Sequence, residues 1–390
     1  MTKNSKCFCV VGDGQLARYL CQSARARNLK TIIVGRTSSP AAAFADEVIS
    51  DVSQIKGSAE EVVVTFENEF LDIAAVSEEL EKLALDCKPD LKAISVLREK
   101  RKQKLCLEGL GIQSPNYINW GKGDVDQFLR KVATEFPKDA VIKWSTGGYD
   151  SKGVYFFGPG TTIQAAANFC EEARSKGHEV FAEEKISFDR ELALVGSRDD
   201  RGNFRFLPLV ETWQEEGICR LVKSHQASPE QLAEARGICE AIMSEWDYVG
   251  VLAVEFFVSR KGELFVNEIA PRVHNSGHFS LLASEHSQFD LHVAAVCDLP
   301  LKPNKHASFF AMWNILGPNY IETFRLRTPP DENEVIADGV KLFWYDKEEV
   351  KARRKMGHLC AVADSEDELS DKINVMKRWE EIFWANNCSR

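Results

Sequence analysis

A chain of 390 residues, 44% hydrophobic and 28% charged, is long enough for two or three domains with full cores, and no apolar run approaches the roughly 18 residues of a membrane span. Its net charge of −10 argues against nucleic acid or an acidic membrane as a partner. The 11 cysteines show no CxxC pair and no zinc-like Cys/His spacing, and the apolar run after 1–6 is too short for a signal peptide; reduced thiols and a cytoplasmic protein are expected.

The chain opens as strand, turn, helix and strand. Cys7–Val11 is a short apolar run, Gly12-Asp13-Gly14 a tight turn, and 15–27 a helix on the spacing of Leu16, Tyr19, Leu20 and Ala24. Residues 31–34 and Val62–Phe66 read as further strands of one parallel sheet. The stretch 82–104, dense in Lys, Asp and Glu, suggests a boundary, so 1–103 are expected to form the first domain.

A second domain is expected over 104–299. It holds a strand at Ala140–Trp144, a glycine loop, a helix over 162–175 and strands around 180–186 and 191–195. A helix over 228–245 has Ser228 as N-cap, Pro229 at its first position and Gln231 to complete a capping box. Strands 249–258 and 263–269 follow, joined by a turn at Lys261-Gly262. Residues 300–390 read as a small β-rich domain with strands near 309–315, 341–345 and 359–363.

Several constellations carry chemistry. Gly12-Asp13-Gly14-Gln15-Leu16-Ala17 opens like a dinucleotide fingerprint but lacks the third glycine. Its amides suit a phosphate at a helix N-terminus, or simply a tight strand-to-helix turn. Thr146-Gly147-Gly148-Tyr149-Asp150-Ser151-Lys152-Gly153 follows a strand carrying Lys143; it is either a loop that lays amides and lysines against nucleotide phosphates or a solvated hairpin. It is not a Walker A motif. With a symmetric turn at Lys261-Gly262, Glu255 lies directly across from Glu268 in strongly apolar strands. A divalent cation resolves that conflict, with Glu255, Glu268 and Asn267 as hard oxygen ligands for Mg²⁺; a salt-bridged or protonated Glu255 is the alternative. The loop Ala270-Pro271-Arg272-Val273-His274-Asn275-Ser276-Gly277-His278 is rich in hydrogen-bonding side chains, which implies recognition of a polar ligand. Arg353-Arg354-Lys355-Met356-Gly357-His358, after Tyr345-Asp346-Lys347, is suited to a phosphate monoester or is a solvated basic face.

Together these residues resemble the ATP-grasp superfamily and, more narrowly, the 5-(carboxyamino)imidazole ribonucleotide synthetases of purine biosynthesis. The likeness runs from Gly12 to His358, with Gly147-Gly148-Tyr149-Asp150, Asn267-Glu268-Ile269-Ala270-Pro271-Arg272, His274-Asn275-Ser276-Gly277-His278 and Arg354-Lys355-Met356-Gly357-His358 in order. The resemblance implies an α/β (α+β overall) chain with the ATP-grasp fold, an N-terminal Rossmann-like parallel-sheet domain and a small C-terminal β-rich domain. It implies that bicarbonate attacks the γ-phosphate of ATP to give carboxyphosphate, which delivers its carbon to the exocyclic amine of aminoimidazole ribonucleotide. ATP would be held by Lys100, Lys143, Gly148, Tyr149, Asp150, Ser151, Lys152, Gly153, Glu183, Glu184, Lys185, Ile186, Glu191, Gln214, Asn267 and Glu268, and Mg²⁺ by Glu255 and Glu268. Tyr149, Asp150, Arg272, His274 and Lys347 would do the chemistry, and Gln15, Asn275, Ser276, Arg354 and Lys355 would receive the ribonucleotide. A homodimer is expected by the same likeness.

Five positions depart from the family pattern. Asp13, Ala17 and Asp346 stand where glycines are usual, Thr65 where a glutamate is, and Gln214 where a histidine is. A carboxylate at Asp13 should weaken anion binding unless it points away. The competing readings are an ATP-grasp carboxylate–amine ligase with a different amine and a catalytically silent nucleotide-binding protein.

Overall fold

Three sheets form among the residues that the computed structural model describes, 6–148, 153–301, 303–331 and 334–388. In the first, β1 (Cys7–Val11), β2 (Lys30–Val34), β3 (Glu47–Ile49) and β4 (Val62–Phe66) lie parallel in the order β3-β2-β1-β4. Both faces are covered, which is why β4, buried throughout, is apolar at every position but Thr65 rather than alternating. The helix α1 (Gln15–Arg25) follows β1 and buries Leu16, Tyr19, Leu20 and Ala24, as its spacing predicts. Three more helices, α2 (Ile73–Leu83), α3 (Leu91–Leu97) and α4 (Lys100–Gly109), run through and past the charged stretch that the sequence marks only as a boundary.

The second sheet is antiparallel: β5 (Tyr117–Asn119), β6 (Ala140–Trp144), β7 (Val154–Phe157) and β8 (Val180–Glu184) in the order β5-β8-β6-β7. Strand alternation divides its residues. Ala140, Ile142, Val180 and Ala182 join a separate core with Phe128, Leu129 and Val132 of α5 (Val125–Glu135) and Ala166, Cys170 and Ala173 of α6 (Ile163–Ser175). Lys143 and Glu183, at the other parity, are left on the opposite face.

The third sheet is large. It takes β9 (Phe188–Arg198), β10 (Phe204–Phe206), β11 (Val210–Glu215), β12 (Ile218–Ser224), β13 (Gly250–Ser259), β14 (Leu264–Ala270), β15 (Phe309–Leu316), β16 (Val335–Ala337), β17 (Val340–Trp344) and β18 (Lys355–Ala363). Their order is β14-β13-β9-β11-β12-β15-β18-β17-β16, with β10 on β9, so the C-terminal strands continue the sheet beyond β12. Its helices are α7 (Pro229–Glu245), the short α8 (Ser280–Ala283), α9 (Gln288–Val296) and α10 (Glu366–Cys388). No residue pattern announces α10, because its buried positions, Leu369, Met376, Glu380 and Trp384, form only a narrow stripe among charged residues. The first and third sheets share cores: Phe8, Val10 and Leu20 pack with Val195 and Phe310, and Val64 and Ile94 with Leu194 and Ile242.

Two local expectations are corrected. Ser228 does cap α7 by accepting from Gln231 N at 3.2 Å, but the Gln231 side chain turns to His225 at 2.9 Å, so the capping box is half made. The β13–β14 turn closes with Ser259 N on Glu263 O and pairs Phe257 with Phe265, a register that by itself would set Glu255 against Asn267. A bulge at Asn267 shifts the ladder by one residue, and Glu255 does pair with Glu268. The expected pair is present for a different reason.

Candidate active site

Strand parity puts Glu191 of β9, Glu255 of β13 and Glu268 of β14 on one face of the large sheet. Burial pushes the Glu255 carboxyl from 4.5 up to about 7, with Glu268 and Glu191 adding to the rise and Lys100 and Lys355 opposing it. Burial also raises Glu191 to about 7, against a hydrogen bond from Gln214 on β11. Two buried carboxyls that resist ionisation, Glu191 and Glu255, beside the Glu268 carboxylate make a site that favours added positive charge.

The cations come from neighbouring elements. Lys100, the first residue of α4, is ion-paired with Glu268. Lys143 on β6 is ion-paired with Glu183 and lies 3.3 Å from Asn267 Oδ1. Glu183 also meets Lys104 at 3.0 Å, and both of these side chains are 3% exposed. Burial opposes the Glu183 charge, but Lys143 and Lys104 hold its carboxyl below the usual range. Burial in turn brings the Lys104 ammonium down to about 8. With its side chain committed to two lysines, Glu183 has only its backbone for a nucleotide. Glu184 accepts from Asn116 at 2.9 Å, Lys185 is exposed 3.6 Å from Asp139, and Ile186 is half-buried.

The loop after β14 is held from both sides. Arg272 forms a fork–fork pair with Glu69, its Nη2 donating at 3.0 Å, and this pairing keeps Glu69 ionised against its burial. Gln288 clamps the His274 backbone, accepting from its N–H and donating to its carbonyl, each at 2.8 Å. Ser276 N donates to His274 Nδ1 at 3.3 Å. A backbone amide can only donate, so Nδ1 is unprotonated and Nε2 carries the hydrogen, 3.7 Å from Glu255 Oε1. Burial, then Arg272 and Lys355, hold this imidazole neutral, well below its ordinary pKa. Asn275 pairs with Asn314 of β15. His278 does not join the site: it is 1% exposed, is brought to about 3 by burial, and packs among Tyr19, Phe289, Tyr345 and His358. His358 is likewise buried, stacked on Phe343 and bonded to Tyr345 Oη at 2.8 Å.

At the N-terminal turn the phosphate slot is filled from within. Glu67 accepts from Gly14 N at 2.8 Å and Ala17 N at 3.0 Å, capping α1 with a carboxylate. Gly12 makes room for it, since a Cβ there would lie 2.4 Å from Glu67 Cγ. Gln15 begins α1 and is half-buried. Asp13 points away, passing over Gly35 to accept from Arg36 N and Nε, each at 2.8 Å. The other departures are also accommodated. Thr65 Oγ1 bonds His292 Nε2 at 2.8 Å, Ala17 is wholly buried, and Asp346 keeps the left-handed backbone (φ 52°) while accepting from Arg18 at 2.8 Å. Lys347 Nζ donates to Lys355 O at 2.7 Å, and Arg354 donates to Glu349 O at 2.8 Å.

The structure thus gathers Lys100, Lys143, Glu191, Gln214, Glu255, Asn267, Glu268, Arg272, His274 and Lys355 around one face, with Gly148 and Gly153 at the ends of the glycine loop. Tyr149, Asp150, Ser151 and Lys152 lie outside the described residues. Glu67, Glu69, Lys104, Gln288 and Asn314 were missed in the sequence. The run Phe66-Glu67-Asn68-Glu69-Phe70 at the end of a buried strand was a usable signal for the first two; the rest sit in ordinary helical or strand contexts. Two facing carboxylates beside an amide oxygen suit Mg²⁺, which takes one or two protein carboxylates and leaves its other positions to phosphates and water.

Comparison with known proteins places this geometry. Residues 105–289 match the ATP-grasp domain, and residues 311–372 match the phosphoribosylaminoimidazole carboxylase C-terminal domain. The N5-carboxyaminoimidazole ribonucleotide synthase of Synechococcus elongatus is 32% identical over 97% of this chain and 95% of its own. That of Vibrio cholerae is 32% identical over 93% of each. An ADP complex of an N5-carboxyaminoimidazole ribonucleotide synthetase superposes with a TM-score of 0.83 at 28% identity, covering 98% of this chain and 99% of that one. The Aspergillus clavatus enzyme, solved with ADP and 5-aminoimidazole ribonucleotide, gives 0.79 at 26% identity over 96% and 99%.

Proposed function

The chain belongs to the N5-carboxyaminoimidazole ribonucleotide synthase family, and from that premise we propose that it is an ATP-dependent C–N ligase that carboxylates the exocyclic amine of 5-aminoimidazole ribonucleotide in purine biosynthesis. The observation that carries the reading is the Glu255–Glu268 pair faced by Lys100 and Lys143, a charge arrangement suited to a triphosphate.

In this reading Glu255 and Glu268 would hold Mg²⁺ with the Asn267 amide beside them, and the bound ion would supply charge neutralisation at the transferred phosphoryl group. Lys100 and Lys143 leave their carboxylate partners for phosphate oxygens. A bicarbonate oxygen, giving up its proton to solvent, attacks the γ-phosphorus and ADP leaves, giving carboxyphosphate; the ribonucleotide amine then bonds to its carbon as the C–O bond to phosphate breaks, and the amine proton leaves with the phosphate. Positioning and charge neutralisation do most of this work. Arg272, oriented by Glu69, meets the anionic intermediate, and neutral His274 offers its Nε2–H to an oxygen on which charge develops. Lys347 joins Arg272 and His274 at the intermediate, and Lys355 and Arg354 receive the ribonucleotide with Gln15, Asn275 and Ser276. Roles for Tyr149 and Asp150 rest on the family resemblance.

We further propose three domains, 1–103, 104–299 and 300–390, a homodimer, and a cytoplasmic enzyme; among the described residues no helix is long and apolar enough to cross a membrane. The test is label from bicarbonate. Purified protein with Mg²⁺-ATP and the ribonucleotide should incorporate one carbon per ADP formed, and Glu268→Ala should abolish both. Incorporation that survives in that variant would remove the metal pair from the mechanism.

A further inference from the structure

The Asn275 amide is oriented by a chain of groups that begins outside the site. Cys219 O, a backbone carbonyl of β12, can only accept, and Asn314 Nδ2 donates to it at 2.8 Å. That bond fixes which way the wholly buried Asn314 amide faces. The same Nδ2 donates to Asn275 Oδ1 at 2.7 Å, and Asn314 Oδ1 accepts from Asn275 Nδ2 at 3.0 Å. Turning Asn275 over would set N–H against N–H and oxygen against oxygen. The Asn314 backbone is held too: its carbonyl accepts from Arg220 Nη1 at 2.6 Å, and Arg220 is clamped by Glu380 of α10 at 2.7 Å.

We propose that Asn314 is a positioning residue that fixes the Asn275 amide so that its second N–H is presented to the ribonucleotide. The inference rests on the proposed function, which places Asn275 at that substrate. Asn275 is half-buried, and its remaining Nδ2 hydrogen has no protein acceptor among the described residues. A hydroxyl or ring nitrogen of the nucleotide is the class of acceptor it suits. Asn314 lies on β15 and acts through Asn275, whereas Lys100, Lys143 and Glu268, proposed for ATP, are reached from other elements.

The experiment is a double-mutant cycle read by ADP release at saturating bicarbonate, with KM measured separately for ATP and for 5-aminoimidazole ribonucleotide. Asn314→Ala should raise the ribonucleotide KM about tenfold, the loss expected for one misdirected hydrogen bond, and leave the ATP KM within about twofold. In an Asn275→Ala background the same change should add nothing further to the ribonucleotide KM. Equal rises for both substrates, or an Asn314 effect that persists without Asn275, would overturn the proposal. If the alanine variant does not fold, Asn314→Asp serves: it keeps the volume but turns an acceptor toward Cys219 O, and the same KM split is expected. Wild-type protein that the ribonucleotide fails to stimulate would remove the functional reading itself, a result distinct from normal turnover without the split.

Discussion

Replacing Glu255 by Gln should make the ligand-free protein more stable while abolishing its turnover. Burial and two carboxylate neighbours raise the Glu255 carboxyl from 4.5 to about 7. At about 1.4 kcal/mol per pH unit, that gap costs the folded state about 3 kcal/mol once the group is ionised. The side chain keeps 23% of its surface exposed, so this is an upper figure and a gain above about 1 kcal/mol is the working expectation. The sign follows from linkage. A carboxyl with a raised folded pKa costs nothing below about pH 4.5, where both states are protonated, and its cost is complete above about pH 7. Glutamine carries no charge at either pH. Urea unfolding in EDTA should therefore favour Glu255→Gln at pH 8, with most of that advantage gone at pH 5. Added Mg²⁺-ATP should stabilise the wild type and leave the variant nearly unmoved. A variant that is less stable than wild type at pH 8, or whose advantage is the same at both pH values, would refute the idea that these carboxylates are held in unfavourable proximity.

Glu183→Gln leaves Lys104 and Lys143 buried without their shared carboxylate; it should lower stability by about 3–5 kcal/mol in chemical unfolding and raise the KM for ATP. Glu69→Gln loosens the fork that aims Arg272 and should lower kcat by about 100-fold, with the ATP KM much less affected, in steady-state ADP release. Asp13→Gly should change the ribonucleotide KM by less than about threefold and stability by less than about 1 kcal/mol, because the carboxylate faces Arg36, whose side chain is 75% exposed. A large improvement in the ribonucleotide KM would mean that Asp13 does repel the substrate phosphate.

Short-range patterns were legible where one rule dominated. The parallel sheet followed from buried apolar runs, and Lys143 could be placed because it rides a strand whose register is set by Ala140 and Ile142. The facing glutamates were found although the turn was misplaced, since the bulge at Asn267 compensates by one residue, and no sequence rule announces such a bulge. His278 and His358 looked like ligand groups because polarity was read without knowing burial; an aromatic cluster assembled from α1, the recognition loop and the C-terminal strands decides their state. Partnerships across long separations were out of reach. Asp13, Thr65 and Asp346 each break the family pattern, and only the fold shows that Arg36, His292 and Arg18 receive them. Glu67 is similar: the glycine turn suited either a phosphate or simply a tight strand-to-helix turn, and its amides go to the protein's own Glu67 carboxyl.

The most direct test of the central claim is ADP release by the purified protein with Mg²⁺-ATP and bicarbonate, with and without 5-aminoimidazole ribonucleotide. Strong stimulation by the ribonucleotide, with a carboxylated product formed in step with ADP, is the predicted result. ADP release indifferent to the ribonucleotide would contradict the assigned amine substrate while leaving the nucleotide site in place, and no ADP release under any of these conditions would contradict the ligase reading altogether.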